Sequence, residues 1–269
     1  MKLSNALSCL GLCAILSVSS CSTTQYTGDL ASIVSTKTLV VGTNAGYKPF
    51  EYENSSGEIL GYDVKVVNLI DEAINTKYST TVKVVWKNMD FDGLIGSLQS
   101  NQIDLIAAAF SITEERAVSV LFSDTYFTAD TVVVTASTNT TITDMDSLKS
   151  SKCGAQLGTV QGDTITGEGW NSSNQTLTDI SNLVLAIKAG TLDALVVEKP
   201  VAQQIISSQT DLKIIDTIAF EDDGGYGLAS HKGTGADLIS LINDTIKTNT
   251  DNGTLDNLYI EAANEASSN

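Results

Sequence analysis

The one arginine of this chain lies in a segment that could bind a carboxylate. Fourteen of the 15 basic residues are lysines, and the exception, Arg116, ends the heptapeptide F-S-I-T-E-E-R at residues 110–116. A guanidinium can donate two parallel hydrogen bonds to a carboxylate, whereas an ammonium cannot. Ser111 adds a hydroxyl donor, and the small Ala109 leaves backbone groups open to a ligand. We therefore predict a carboxylate-binding rim at Ala109, Ser111 and Arg116.

A second group of residues offers an acceptor for an ammonium and donors for an anion. Glu198 ends a β-branched run, and the turn G-T-V-Q at 158–161 offers backbone N–H groups at Thr159 and Val160 that can reach an anion. Together with the first rim, these groups match the two ends of an α-amino acid. The alternative is an enzyme, such as a dehydratase or lyase, that uses Glu198 as a general acid. Against it, the sequence places no second catalytic group in the cleft, and its one histidine is His231.

Alternating strands and helices must position these residues. Short β-branched runs predict strands, and stretches with a period of 3.6 residues predict helices. The predicted strands are 38–43, 82–86, 103–109, 131–135, 154–157, 192–198, 213–215 and 226–229, and the predicted helices are 64–74, 91–100, 180–188, one opened by Pro200, 237–248 and 255–263. This alternation indicates an α/β fold with parallel strands.

The two halves of the pattern contain an internal repeat. The segment LIGSLQSNQIDLIAAA (94–109) aligns with LVLAIKAGTLDALVVE (183–198) at a constant offset of 89 residues. Each copy has an apolar helix face, a polar turn, an aspartate and a buried strand. Ligands of open α/β sheets bind beyond the carboxyl ends of the strands. The repeat therefore places Ala109 and Glu198 at equivalent rims, with a ligand cleft between them.

We expect the chain to fold as two α/β lobes. Residues 37–127 and 226–269 form the first lobe, and residues 131–221 form the second. The helices after residue 226 have no counterpart in the second set, so we expect them to return to the first lobe. The chain then crosses between the lobes near 127–131 and near 221–226, and two crossings make a hinge.

Composition excludes several classes of protein. The chain has 269 residues, with 15 basic and 32 acidic side chains and a net charge of −17. So acidic a surface repels phosphate backbones, which excludes nucleic-acid binding. A single histidine excludes a histidine-rich zinc site, and we expect no metal and no cofactor. The hydrophobic content of 42% indicates a soluble globule, which we expect to be a monomer.

The first residues read as a lipoprotein signal. Residues 1–20 combine Lys2 with an apolar run too short to span a membrane, and V-S-S-C at 18–21 resembles the bacterial lipobox. We expect cleavage before Cys21, acyl chains on that residue, and a flexible tether over 21–36. Cys153 is then the only other thiol, so no internal disulfide forms. The protein is expected to be exported and lipid-anchored to the cell membrane.

An ordered set of motifs connects the chain to a known family. The strongest runs from 104 to 126 and contains S-I-T-E-E-R and F-S-D-T-Y. The others are V-G-T-N-A-G-Y-K-P-F-E-Y (41–52), G-E-I-L-G-Y-D-V (57–64), M-D-F-D-G-L-I (89–95), D-A-L-V-V-E (193–198), Y-G-L-A (226–229) and D-N-G-T (251–254). Over residues 38 to about 259 the sequence resembles the type 2 periplasmic (extracellular) solute-binding proteins of ABC amino-acid importers, also called family 3. The resemblance implies a type II periplasmic-binding-protein-like fold, in which two lobes are joined by a two-strand hinge.

The resemblance also implies roles for the first rim and the turn. Arg116 would hold the α-carboxylate of the ligand. Ser111 and the backbone of Ala109 would assist, together with the backbone of Thr159 or Val160. Because Arg116 belongs to the first lobe and Glu198 to the second, only a closed cleft would satisfy both ends of an amino acid.

The resemblance places the other ligand contacts around the side chain. Glu198 stands where the family usually has an aspartate that binds the α-amino group. Tyr47 and Phe91 match the aromatic walls of the pocket, Asn44 matches a position at its far end, and Gln156 is expected to face the same space. Because Asn44 replaces an acid, we favour a polar neutral ligand. A basic one is the other possibility, since the net negative field attracts cations.

The function implied is capture of a free amino acid by lobe closure. The closed form would be read by an ABC permease with its ATPase, and the protein would not be an enzyme. A lipoprotein that senses a ligand without transporting it remains the other alternative.

Overall fold

The computed structural model describes residues 29–221 and 224–268. Its helices are α1 (Leu30–Thr36), α2 (Tyr62–Tyr78), α3 (Leu94–Gln99), α4 (Glu114–Ser119), α5 (Met145–Ser150), α6 (Val160–Thr166), α7 (Ile180–Lys188), α8 (Lys199–Ser208), α9 (Ala236–Asp251) and α10 (Thr254–Ser268). Its strands are β1 (Thr38–Thr43), β2 (Tyr52–Glu53), β3 (Ile59–Leu60), β4 (Lys83–Asn88), β5 (Leu105–Ile106), β6 (Val120–Phe122), β7 (Thr131–Ala136), β8 (Cys153–Gln156), β9 (Gln175–Leu177), β10 (Ala194–Glu198), β11 (Leu212–Ile215) and β12 (Ala229–His231). A short 3-10 turn at Phe91–Gly93 precedes α3.

Two five-stranded sheets divide these strands into two lobes. The first sheet has the order β4, β1, β5, β12, β6, and the second has the order β11, β7, β10, β8, β9. The chain passes from the first sheet to the second between β6 and β7, and it returns between β11 and β12. The architecture is that of two α/β lobes, as the sequence pattern predicts.

Both sheets are mixed, which corrects the expectation of parallel strands. Strands β4, β1 and β5 are parallel, but β12 runs antiparallel to β5 and β6. In the second sheet, β8 is parallel to β9 and β10, but β7 is antiparallel to β10 and β11. The exceptional strands, β7 and β12, are those that follow a crossing between lobes. They enter their sheets without the helical crossover that makes neighbouring strands parallel.

The internal repeat extends to individual hydrogen bonds. Asp104 donates its N–H to the Val40 carbonyl at 2.7 Å and accepts from the Val40 N–H at 2.7 Å. Asp193 makes the same pair of bonds with Lys152, both at 2.8 Å. Each aspartate therefore clamps its strand to the neighbouring parallel strand. The predicted register of the two copies is confirmed.

The helix of each copy packs on its sheet through an equivalent glycine. A Cβ at Gly42 would meet the side chains of Ile103 and Leu94. A Cβ at Gly154 would meet Leu192 and Leu183, which are the residues at the corresponding positions of the second copy. In both lobes the absence of a side chain on the strand lets the helix and the turn approach closely.

Several elements differ from the predictions. The strand expected at 103–109 is regular only at β5, because the chain bends away before the cleft. The strand expected at 226–229 lies at β12. The tether expected over 21–36 is folded from residue 30 onward, since α1 buries Leu30 and Ile33 against the first lobe and Asp29 caps the helix. The signal sequence, Cys21 and the first residues of the tether lie outside the described residues.

The two crossings are joined by Tyr226. This residue forms β-bridges with both Ser111 and Phe127, and its ring packs against the buried Phe50 and the partly buried Phe127. Helices α9 and α10 pack on α2 of the first lobe, while α10 also contacts α8 of the second. Among the described helices, none has the length and apolar character needed to cross a membrane.

Candidate ligand-binding cleft

A small cavity lies between the rims of the two lobes. Seven of its eight lining residues are ones that the sequence predicts as ligand contacts; the residues are Tyr47, Phe91, Ala108, Ala109, Ser111, Gln156, Thr159 and Glu198. Several hydrogen bonds cross directly from one lobe to the other. The structure therefore describes the cleft in a closed arrangement.

Arg116 links the two rims. Thr113 caps α4 by accepting the Arg116 N–H at 3.1 Å, which fixes the start of the helix that carries the guanidinium. The guanidinium lies over the ring of Phe110, with 4.3 Å from Cζ to the centroid. Its Nη1 donates to the Ser111 carbonyl at 2.7 Å, and its Nη2 donates across the cleft to the Gly158 carbonyl at 2.9 Å. The planar group is thus held rigidly beside Ser111, which lines the cavity, although Arg116 is not itself one of the lining residues.

Ala109 lines the cavity in a strained backbone conformation. Its φ of 44° is in the left-handed region, which costs a residue with a Cβ about 1 kcal/mol or more. Its N–H donates to Oδ2 of the buried Asp63 at 2.8 Å. A carboxylate of the protein therefore engages this N–H and holds the backbone of Ala109 at the rim.

Glu198 is the acidic group of the second rim. It ends β10 and lies directly before α8, where Pro200 occupies the first turn and needs no N–H partner. Its carboxylate is buried and accepts from the hydroxyl of Tyr47 in the other lobe. It also accepts from Nε2 of Gln161 at 3.1 Å, and this same Nε2 is 3.1 Å from the Thr131 hydroxyl. The carboxylate therefore faces the cavity from a fixed position.

The turn at 158–161 lies at the N-terminus of α6. Thr159 caps the helix by accepting the Gly162 N–H at 3.1 Å, and the N–H of Val160 in the first turn has no intrahelical acceptor. Gly158 has a φ of 79°, and a Cβ there would be 2.9 Å from the Cβ of Asp92 in the first lobe. Only glycine allows the lobes to approach so closely here. The side chain of Val160 lies on a neighbouring cavity.

Amide groups form the far end of the cleft. Nε2 of Gln156 donates to Oδ1 of Asn44 at 2.7 Å and to the Thr178 carbonyl at 2.8 Å. Nδ2 of Asn44 donates to the Met89 carbonyl at 2.7 Å. The donor atoms of both amides are thus directed at protein acceptors. The acceptors gathered at this end are the carbonyls of Met89 and Thr178 and Oδ1 of Asn44.

Sequence reasoning missed the residues that support the site. Asp63 lies within the G-Y-D-V motif and Gln161 within the G-T-V-Q turn, yet neither was given a role. Their contacts join segments far apart in the chain, so no local pattern reveals them. The lone His231 is buried at the opposite end of the first sheet, with Nε2 3.1 Å from the Ile103 carbonyl. It cannot serve chemistry in the cleft.

Comparisons with known proteins agree with this geometry. The family model of the bacterial extracellular solute-binding proteins, family 3, matches residues 39–262. A probable histidine-binding protein of Campylobacter jejuni is 34% identical over 215 residues, which cover 78% of this chain and 79% of the relative.

Solved structures with bound amino acids share the fold. The substrate-binding protein AbpA of an amino-acid ABC transporter of Streptococcus pneumoniae, solved with L-arginine, has 31% identity and a TM-score of 0.79, with coverage of 88% of this chain and 98% of that one. An ancestral arginine-binding protein bound to glutamine has 32% identity and a TM-score of 0.72, with coverage of 84% and 97%. These neighbours bind solutes and are not enzymes. The chain belongs to the bacterial extracellular solute-binding proteins, family 3, as its motifs predicted.

Proposed function

We propose that this protein captures a free L-amino acid and delivers it to an ABC permease and its ATPase. The observation that carries the proposal is the arrangement of Arg116 and Glu198 on opposite lobes of one closed cleft: Glu198 lines the cavity, and Arg116 donates to the carbonyl of Ser111, which also lines it. A guanidinium on one side and a buried carboxylate on the other suit the α-carboxylate and the α-ammonium.

Lobe closure follows from this division of the site. A ligand held by Arg116 alone gains only part of its interactions, and it gains the contact with Glu198 when the second lobe closes over it. Ligand binding therefore shifts the open–closed equilibrium by the free energy of that additional contact. Exclusion of water strengthens both charged contacts and disfavours molecules that lack either group.

For the side chain we place arginine and histidine ahead of the polar neutral amino acids. The acceptor-rich far end, the two aromatic walls and the acidic protein favour a cationic donor group. The named relatives and the neighbour from Streptococcus support the same choice. Glutamine, which the ancestral arginine-binding protein also holds, is the neutral candidate to compare, because its amide can donate to the same carbonyl oxygens.

The experiment is a thermal-shift screen against the 20 amino acids, followed by calorimetry on the hits. A ligand at 100 times its Kd stabilises the folded state by about 2.7 kcal/mol, so arginine or histidine should raise Tm by several degrees. Agmatine, which is arginine without its carboxylate, is the matched control and should produce no shift. A screen in which no amino acid raises Tm, or in which the ligand is turned over, would contradict the proposal.

We also propose that the protein acts as a monomer, exported and held at the membrane by acyl chains on Cys21. The support is the lipobox-like V-S-S-C sequence at 18–21 together with the extracellular family. The intact mass of protein extracted from membranes should equal that of a chain beginning at Cys21 plus two or three acyl chains. An unmodified chain that begins elsewhere would refute the anchor.

A further inference from the structure

Two buried carboxyl groups lie behind the first rim of the cleft. Glu51 is 1% exposed and Asp63 is 0% exposed, and the Asp63 N–H donates to the Phe50 carbonyl at 3.0 Å, which places Asp63 beside the segment that carries Glu51. Two neighbouring buried carboxyl groups disfavour each other's ionised form, because like charges repel strongly where water is excluded. The pair is therefore expected to share a proton.

Asp63 is the member of the pair with the better support for a negative charge. Its Oδ2 accepts from the Ala109 N–H at 2.8 Å, and its Oδ1 accepts from the Tyr126 hydroxyl at 2.7 Å. With the Glu51 carboxyl, three donors surround Asp63. Within the described part of the chain, Oε2 of Glu51, in contrast, has no hydrogen-bond partner. The proton therefore resides on Glu51, and Asp63 carries the charge.

The pair joins three segments that form or move the cleft. Glu51 forms a β-bridge with Tyr47, whose hydroxyl contacts Glu198. Asp63 holds Ala109 in its left-handed conformation at the rim. Tyr126 immediately precedes the first crossing between the lobes, and its N–H donates to the Tyr226 carbonyl at 2.9 Å in the second crossing. No ligand contact is needed for these bonds.

We propose that ionised Asp63 is a positioning residue that holds the ligand-binding rim and the hinge in their relative positions. Glu51 is the proton donor beside it. The proposal rests on the proposed amino-acid binding for its effect on affinity. It follows that protonation of Asp63 removes the anionic acceptor of the Ala109 N–H and weakens ligand binding. The affinity of the cleft for its ligand should therefore fall as the pH is lowered.

The surroundings of the pair agree with this assignment. Burial raises the pKa of Asp63 to about 6, while the hydrogen bonds from Ala109, Tyr126 and Glu51 oppose the rise. Burial and the neighbouring Asp63 raise the pKa of Glu51 well above its usual range. Burial and Asp63 also raise the pKa of Tyr126, which keeps its hydroxyl as a donor.

Other charged groups act on the pair only from a distance. Tyr62 packs beside it on α2 and has a raised pKa, mainly through burial and then through Asp63. Asp256 and Tyr259 of α10 act in turn on Tyr62. Lys48 is the nearest lysine in sequence to Glu51, and its Nζ is directed outward to the Ala266 carbonyl at 3.2 Å.

The test is calorimetry with L-arginine between pH 5 and 7.5 on four proteins. Neither backbone charge of free arginine titrates in this range, so a change reports on the protein. If only the form with ionised Asp63 binds well, affinity of the unaltered protein falls up to about tenfold from pH 7.5 to 5. Asp63→Asn should bind weakly at pH 7.5 and show no such fall. Glu51→Gln retains a donor beside Asp63 and should follow the unaltered protein, as should the control Glu53→Gln, whose side chain is exposed.

A ligand-free measurement separates this inference from the proposed function. In the unaltered protein, the amide resonance of Ala109 should titrate with a midpoint near pH 6, and the side-chain carboxyl carbon of Glu51 should have the shift of a protonated acid at pH 7. Both are visible even if no amino acid binds or if Asp63→Asn does not fold. An Ala109 amide that is constant from pH 5 to 7.5, or an ionised Glu51 at pH 7, would overturn the proposal. So would an Asp63→Asn protein with unchanged affinity and pH dependence.

Discussion

The two rims of the cleft present different chemical groups. After strand β5 the chain presents the backbone of Ala109, and after the equivalent strand β10 it presents the side chain of Glu198. Up to this point the two copies are alike, with the same aspartate clamp and the same glycine packing. At the rim they diverge. The first copy turns into a left-handed residue supported by buried Asp63, whereas the second continues extended into α8 and supplies a carboxylate itself.

The comparison shows where a repeated unit can change its chemistry. Positions inside the sheet are constrained by packing on every side, so both copies keep the same residue types there. The first residues after the strand are free of these constraints and can present either backbone or side chain. An asymmetric ligand with a negative and a positive end needs such a difference between the rims.

The largest expected effect is on the carboxylate contact of the first rim. Arg116→Ala removes two or more charged hydrogen bonds and should weaken amino-acid binding about a hundredfold or more. Arg116→Lys retains the charge but not the planar pair of donors, and it should cost at least about tenfold. Calorimetry measures both, with circular dichroism to verify the fold. Unchanged affinity of Arg116→Lys would sink the assignment of this rim.

A smaller effect is expected at the second rim. Glu198→Gln removes the negative charge but can still accept from the Tyr47 hydroxyl, so we expect about a tenfold loss of affinity for an amino acid. Glu198→Asp, the residue usual in the family, is the control and should lose less. A ligand analogue without its α-amino group should bind both variants equally. If Glu198→Gln weakened the analogue as strongly as the amino acid, the charge would not act on the ammonium.

The smallest effect tests the shared part of the two copies. Gly42→Ala and Gly154→Ala each place a Cβ against flexible ends of an isoleucine or leucine, and each should lower the free energy of unfolding by about 1 kcal/mol. Urea denaturation would give both values. The repeat predicts that the two losses are similar. A loss at one position with none at the other would show that the lobes do not share this packing.

The sequence predicted the parts of the molecule that depend on local pattern. The strands at 38–43 and 131–135 and the helix at 180–188 were predicted to within one residue, because hydrophobic period alone defines them. The offset between the repeats correctly equated Ala109 with Glu198. Seven of the ten residues that the motifs predict as ligand contacts line the cavity, and Asn44, Arg116 and Val160 do not.

Other features depend on contacts between distant segments. Strands β7 and β12 run antiparallel to their neighbours because each follows a crossing between the lobes. The crossings have no hydrophobic periodicity, so the sequence pattern does not predict this direction. The helix α1 was read as a tether because only a few apolar residues, Leu30, Ile33 and the partly buried Val34, carry its packing. The engagement of the Ala109 N–H by Asp63 joins residues 46 positions apart, and no sequence pattern in a single chain reports such a bond.

The β-bridges of Tyr226 couple the rim of the cleft to the hinge. One residue is paired both with Ser111, at the rim, and with Phe127, at the first crossing, and Tyr226 itself lies in the second crossing. The rim and both crossings are therefore parts of one connected backbone unit. A displacement at any of the three is transmitted to the other two without an intervening element.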